Sequence, residues 1–263
     1  MRRALLRFFS DINWFTPLCA LAGYLQTVRT WPGGIFEPAQ AALLLLGAVF
    51  AYNIVGRAPR RRVAALMAAV AALPVFLYLP VQSKLLWMGI SSLWALYYGA
   101  QTGLLPASLR HIPWAKPLIV SAAWALGAVL PALPAEQWLQ AWPLLLERGA
   151  FIFALALAYD LHDAAIDRQL GMRTLANTHT PRQTMCFIQL ALSVSALLTG
   201  WNVYWKNYSL PAAAGLCLSL VLTAVIVPYL FKNERFVNWR KVVVDGMMVV
   251  QALAVEVVLH EAF

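Results

Sequence analysis

The sequence predicts an all-α polytopic membrane protein, and three observations carry that expectation. Of the 263 residues, 62% are hydrophobic and only 12% are charged, against roughly 45–50% and about 25% in soluble domains. A globule of this size would lack the polar surface to cover itself in water, and disorder, collagen and coiled coil fail on the same composition. Second, the apolar residues gather into nine stretches of the length, about 20 residues, that crosses a bilayer as a helix. Third, the 20 Lys and Arg outnumber the 11 Asp and Glu, a net charge of +9. Their distribution follows membrane sidedness, so no nucleic-acid partner is required.

The nine helices are expected over roughly 13–31, 36–56, 63–81, 84–104, 115–134, 139–161, 182–204, 209–231 and 242–260. No soluble domain of useful size fits between them, so residues 1–263 read as one transmembrane domain. Before the first helix, Arg2, Arg3 and Arg7 alternate with Leu5, Leu6, Phe8 and Phe9, a pattern that suits an interfacial segment over 1–12. It has no long apolar run and no small-residue cleavage site, unlike a cleavable signal peptide. Pro74, Pro80, Gly127, Pro131 and Gly215 interrupt helices and are tolerated where neighbouring helices satisfy the backbone; ordinary membrane-helix composition explains them better than a cavity does. The three cysteines, Cys19, Cys186 and Cys217, lie in apolar stretches and read as small packing residues.

With the N-terminus inside, the loops after helices two, four, six and eight also face inside. Of the 20 cations, only Arg29, Lys84, Arg148 and Lys206 then fall in the outer half, the bias expected of cytoplasmic loops. The expected location is a bacterial cytoplasmic membrane, with the N-terminus and the acidic loop described next on the cytoplasmic side. Glu147 and Arg148 near the outer end of helix six, and Glu256 in helix nine, read as snorkelling interfacial charges. Asp245, near the inner end of helix nine, would either close a polar site or cap the helix start, where a carboxylate suits the dipole.

One stretch runs against the composition. From Tyr159 the chain reads Tyr159-Asp160-Leu161-His162-Asp163-Ala164-Ala165-Ile166-Asp167-Arg168-Gln169-Leu170-Gly171-Met172-Arg173-Thr174-Leu175. Asp160, Asp163 and Asp167 stand at i, i+3 and i+7, which aligns them on one face of a helix. Three carboxylates on one stripe repel each other unless a cation sits among them. Hard oxygen donors suit Mg²⁺, which takes one or two carboxylates and completes its shell with water and substrate phosphate. The plain alternative is a solvated acidic helix end balanced by Arg168 and Arg173. His162, two residues from Asp160, turns away from the stripe.

This segment resembles the second aspartate-rich motif of the UbiA-type intramembrane prenyltransferase superfamily, in which the motif follows the sixth of nine helices. Weaker echoes are Arg110-His111-Ile112-Pro113-Trp114-Ala115-Lys116 before helix five and Asp245-Gly246 at the start of helix nine. The resemblance implies a UbiA-like bundle around a central cavity. It also implies that Asp160, Asp163 and Asp167 hold Mg²⁺ against the diphosphate of an isoprenoid. Ionisation would then be followed by transfer to a lipophilic acceptor or by cyclisation. Lys116, Arg168 and Arg173 would meet the diphosphate from the inner side, and Tyr52, with Tyr97 and Tyr98, would line a prenyl cavity.

The family's partner motif, Asn-Asp-x-x-Asp-x-x-x-Asp at the end of helix two, is degenerate here. That position reads Tyr52-Asn53-Ile54-Val55-Gly56-Arg57-Ala58-Pro59-Arg60-Arg61-Arg62: Asn53 matches, and Ile54, Arg57 and Arg61 replace the acids. Two readings stand for Arg57. Its guanidinium grips diphosphate bidentately in place of a lost metal ion, or it joins Arg60, Arg61 and Arg62 as an anchor to lipid phosphates. The lost motif also supports a rival function, a non-catalytic UbiA-like protein that binds a lipid or quinone-like ligand.

Overall fold

The computed structural model describes residues 13–54, 58–102, 112–169 and 173–261, with backbone alone for 97–102 and 261. Among them are nine helices of fifteen residues or more: α1 Phe15–Thr30, α2 Pro38–Ile54, α3 Pro59–Tyr78, α4 Val81–Thr102, α5 Ala115–Val129, α6 Trp142–Gln169, α7 Pro181–Tyr204, α8 Leu210–Lys232 and α9 Arg240–Glu261. The interfacial segment expected over 1–12 lies outside the described residues, which contain no strand.

Local chemistry sets the helix ends. Pro59, Pro181 and Pro211 stand in first turns, where the missing N–H costs nothing. Thr180 and Gln183 form a reciprocal capping box at the start of α7, and Ser209 accepts from the Ala212 N–H at the start of α8. Pro80 falls between α3 and α4, and Pro131 falls in the 3₁₀ turn that finishes α5; Pro74 and Pro228 lie within helices.

Helices α1 and α5 to α9 pack in a closed circuit, with α2 and α3 joined to it through α1, and α4 through α5. In chain order α1 meets α2, α2 meets α3, and from α4 to α9 each meets the next; α9 returns to α1, while α1 also touches α5 and α9 touches α6. Gly215 allows the α8–α9 approach: a Cβ there would stand 2.7 Å from Val255 Cα, the small-residue contact by which helices pack without a hydrophobic driving force. The main core joins Phe151, Leu155 and Leu157 of α6 to Ile188 and Leu192 of α7, Val227 of α8 and Val244 of α9.

The outer surface is apolar. Leu66, Met67, Val70, Leu73 and Leu77 on α3, Leu190 and Leu197 on α7, and Val221 and Val225 on α8 are all exposed, more large apolar surface than a water-soluble monomer carries. Five stretches are long and apolar enough to cross a membrane by length and composition: Pro59–Tyr78, Ala115–Ala132, Pro181–Tyr204, Leu210–Lys232 and Glu234–His260. The chain is an all-helical integral membrane protein.

One helix departs from the sequence expectation in a way that matters for the site. α6 runs for 28 residues and ends at Gln169, two turns beyond the expected end at 161, so the three aspartates sit on the helix itself. Ala158, Leu161, Ala164 and Ala165 are good helix formers, and the acids find cationic partners on neighbouring helices.

Candidate functional site

The site grows from the C-terminal half of α6. Asp160 is fully buried and Asp167 nearly so, and both meet Lys116 from the first turn of α5. The Lys116 Nζ lies 2.5 Å from Asp160 Oδ1 and 3.5 Å from Asp167 Oδ2. Asp163 faces the other flank, where Lys241 Nζ donates to its Oδ2 at 2.9 Å and sits 5.8 Å from the Tyr159 ring centroid. Two lysines from two helices thus stand against three carboxylates, as burial of charge requires.

Both lysines are held in position by their own elements. Thr174 caps a single helical turn, Leu175–Thr178, through a reciprocal box with Asn177, and the Leu175 N–H donates to Pro113 O at 2.9 Å. That bond ties the end of the acidic segment to the entry of α5, and so to Lys116. At the start of α9, Arg240 turns back to cap α8: its Nε donates to Leu230 O at 3.2 Å and its Nη2 to Phe231 O at 3.4 Å. Lys241, the next residue, is left to face α6, and the Tyr159 hydroxyl donates to its carbonyl at 3.3 Å.

A second layer of polar contacts lies beneath. Asp245 is buried and accepts from the Thr16 hydroxyl at 2.6 Å; it stands more than a turn inside α9 and is not a cap. Asn53 is fully buried, with Oδ1 accepting from the Asn13 N–H at 3.0 Å and Nδ2 donating to Asn13 O and Val49 O. Its amide joins the entry of α1 to the end of α2. Tyr52 accepts from Trp124 Nε1 at 2.7 Å and stands half-buried edge-on to that indole. Arg168 and Arg173 are exposed and make no ion pair among the described residues. His162 Nε2 is 3.9 Å from Asp163 Oδ1. Arg57, Arg110 and His111 lie outside the described residues, as do the side chains of Tyr97 and Tyr98.

Lys241 is the site residue that sequence reasoning missed, having been counted only as one more inside cation. Its signal was present in the pattern: Lys241 and Asp245 lie one turn apart at the start of a helix, on the side where three acids lacked partners.

The other end of α6 corrects an expectation. Glu147 and Arg148 are buried, 1% and 2% exposed, and do not snorkel. Glu147 Oε2 accepts from Tyr208 at 2.8 Å and Asn202 at 3.0 Å, while Arg148 Nη1 lies 3.4 Å from Glu147 Oε1 and 3.2 Å from Gln251 Oε1. Partners from α7, α9 and the turn before α8 enclose the pair, and residue spacing could not reveal them. Glu256 keeps the expected exposed setting, gripped bidentately by Arg29 at 2.6 and 3.1 Å.

The donor set can be matched against Mg²⁺. Asp160 and Asp167 approach one ammonium group, so two hard carboxylates already face a single cationic position, the number that Mg²⁺ usually takes from protein. Asp160 Oδ2 and Asp163 Oδ1 are buried and accept no hydrogen bond. Asp163 points to Lys241 instead, and among the described residues no three His, Cys, Asp or Glu side chains converge on one point. The chemistry fits a two-carboxylate Mg²⁺ site in preference to a three-carboxylate cage.

No protein-family profile matches the sequence, and no curated protein matches it. Among solved structures the chain resembles that of a digeranylgeranylglyceryl phosphate synthase in membranes, with a TM-score of 0.54 over 96% of this chain and 97% of that one. The identity is 11%; the likeness is one of fold, and the chain shares the helical architecture of that synthase.

Proposed function

We propose that this chain is an intramembrane prenyltransferase acting on an isoprenoid diphosphate, with all nine helices crossing the bilayer and the α6 acidic end on the cytoplasmic face. The observation that carries the reading is the pairing of Asp160 and Asp167 around one cationic position, at the polar end of a bundle whose outer surface is apolar. The likeness to a synthase of isoprenoid lipids supports it at the level of fold.

The reaction breaks the bond between the allylic carbon and the diphosphate oxygen, and the electron pair leaves with the diphosphate. A new bond then forms from a lipophilic acceptor to the allylic cation, and the acceptor releases a proton; in a cyclase the cation's own double bond would attack. Charge develops on the leaving group in a low-dielectric setting, where fixed counter-charge is most effective. Mg²⁺, when bound, supplies that counter-charge as a Lewis acid on the diphosphate oxygens. Asp160 and Asp167 are the residues to hold it, and Lys116, exchanged from them, meets a phosphate oxygen. Arg168 and Arg173, exposed beside the acidic end of α6, supply further cations. Tyr52 and Trp124 present an aromatic wall to the isoprenoid, and Asn53 keeps α1 and α2 together beneath it.

The test is pyrophosphate release from labelled isoprenyl diphosphates in membranes, with and without Mg²⁺. Release that depends on Mg²⁺ and is lost in Asp160→Asn is the expected result. Arg57→Asp tested across a Mg²⁺ series reads whether that arginine replaces a metal ion. The degenerate end of α2 supports a second reading, a lipid- or quinone-binding protein without catalysis. Ligand binding with no pyrophosphate release in any preparation would select it.

A further inference from the structure

We infer that Lys241 is a diphosphate-gripping residue, and that with Lys116 it forms a two-lysine clamp over the α6 acidic stripe that holds a pyrophosphate group even without metal. The inference rests on the diphosphate reading of the site and adds to it which side chains grip the diphosphate.

Geometry and access carry it. Lys116 on α5 and Lys241 on α9 reach the same face of α6 from opposite flanks, at 2.5 Å from Asp160 and 2.9 Å from Asp163. Their side chains are 22% and 44% exposed, and that of Asp163 is 21% exposed, so this flank opens outward while Asp160 and Asp167 close the floor. An ammonium group on a four-carbon stem can swing from a carboxylate to an arriving phosphate with little rearrangement. The neighbouring cation cannot: Arg240 is buried and bound to the carbonyls that end α8. Of the two adjacent basic residues, one fixes the backbone and the other is free to exchange partners. At the end of α2, Ile54 carries no charge and the Asn53 amide is engaged with Asn13, so among the described residues the cations that face the acidic stripe come from α5 and α9.

The probe is inorganic pyrophosphate binding to the purified full chain in a phosphate-free detergent, measured by calorimetry in EDTA and again in Mg²⁺. The wild type is expected to retain measurable affinity in EDTA. Lys241→Gln should weaken that metal-free binding about ten- to a hundredfold, the range of a lost charge-assisted contact, and Lys241→Arg should restore most of it. Asp163→Asn supplies a change of opposite sign: it releases Lys241 and removes a repelling carboxylate, so metal-free binding should tighten. A merely structural Lys241–Asp163 pair would instead make both variants weaker or leave both unchanged, and either result overturns the clamp. Unchanged affinity in Lys241→Gln, with normal wild-type binding, overturns the clamp and leaves the diphosphate site standing. No wild-type binding in either medium overturns both. A parallel titration in nanodiscs containing phosphatidylglycerol separates lipid phosphate from free diphosphate: complete displacement of pyrophosphate by that lipid would make Lys241 a headgroup anchor and overturn the clamp.

Discussion

The two ends of α6 carry buried charge in opposite ways. At the Asp160 end, carboxylates outnumber the cations that meet them, two of their oxygens accept no hydrogen bond, and both lysines reach solvent. At the Glu147 end, about 20 Å away along the helix at 1.5 Å per residue, the acid is served by Tyr208 and Asn202 and the unfilled groups are donors, Arg148 Nε and Nη2. Every contact there comes from residues buried with it. An acidic excess beside exchangeable lysines is an arrangement that can trade partners with an incoming cation or anion; a sealed, nearly neutral cluster locks helices together. The comparison teaches that burial alone does not mark a site in this fold, while access and exchangeable partners do.

The sharpest way to break the comparison is at the sealed end. Glu147→Ala should destabilise the protein by about 3–5 kcal/mol, because it leaves Arg148 as an uncompensated buried charge; thermal unfolding in detergent measures it, and the Mg²⁺ dependence of any surviving activity should be unchanged. Asp160→Asn should do the converse. Pyrophosphate release should fall about 10²–10³-fold, the scale of lost transition-state charge stabilisation, with the melting temperature shifting much less than in Glu147→Ala. An equal loss of stability in both variants would erase the distinction between the two ends. Between these extremes, Trp124→Phe removes the indole donor from Tyr52 and should cost about 1 kcal/mol, read as a small melting shift with a larger effect on prenyl-chain affinity than on metal affinity. The smallest effect belongs to Glu256→Gln. Its bidentate partner Arg29 is 59% exposed, and an exposed pair contributes roughly 0.2–1 kcal/mol, a difference that should vanish in high salt.

Much of this was legible in the chain, for physical reasons. Lipid-length apolar runs and one-sided cations mark helices because the bilayer penalises any other arrangement, and acids inside such a chain stand out because burying them is costly. What stayed hidden depends on tertiary partners. The extension of α6 to Gln169 was masked by its own charge, which ends the apolar run at 161 and hides that Lys116 and Lys241 are brought against the acids. Lys241 is 78 residues from Asp163, Glu147 is bonded by residues 55 and 61 positions away and Arg148 by one 103 positions away, separations that no helical periodicity can report. Asn53 shows the reverse case: its match to a motif was visible, yet its amide bonds to Asn13 and Val49 serve to join two helices.

The way Arg240 caps α8 has a consequence for chain length. The 3₁₀ turn Glu234–Trp239 spans the step from α8 to α9, and Arg240 pins its far end to Leu230 and Phe231. Each residue of a helix advances its azimuth by about 100° at 3.6 residues per turn. A single deletion in that turn would therefore rotate α9 and carry Lys241 away from Asp163 and Asp245 away from Thr16, together with the core contacts of Val244, Met247 and Met248. The turn acts as a spacer of fixed count, and insertions or deletions should be tolerated less there than substitutions.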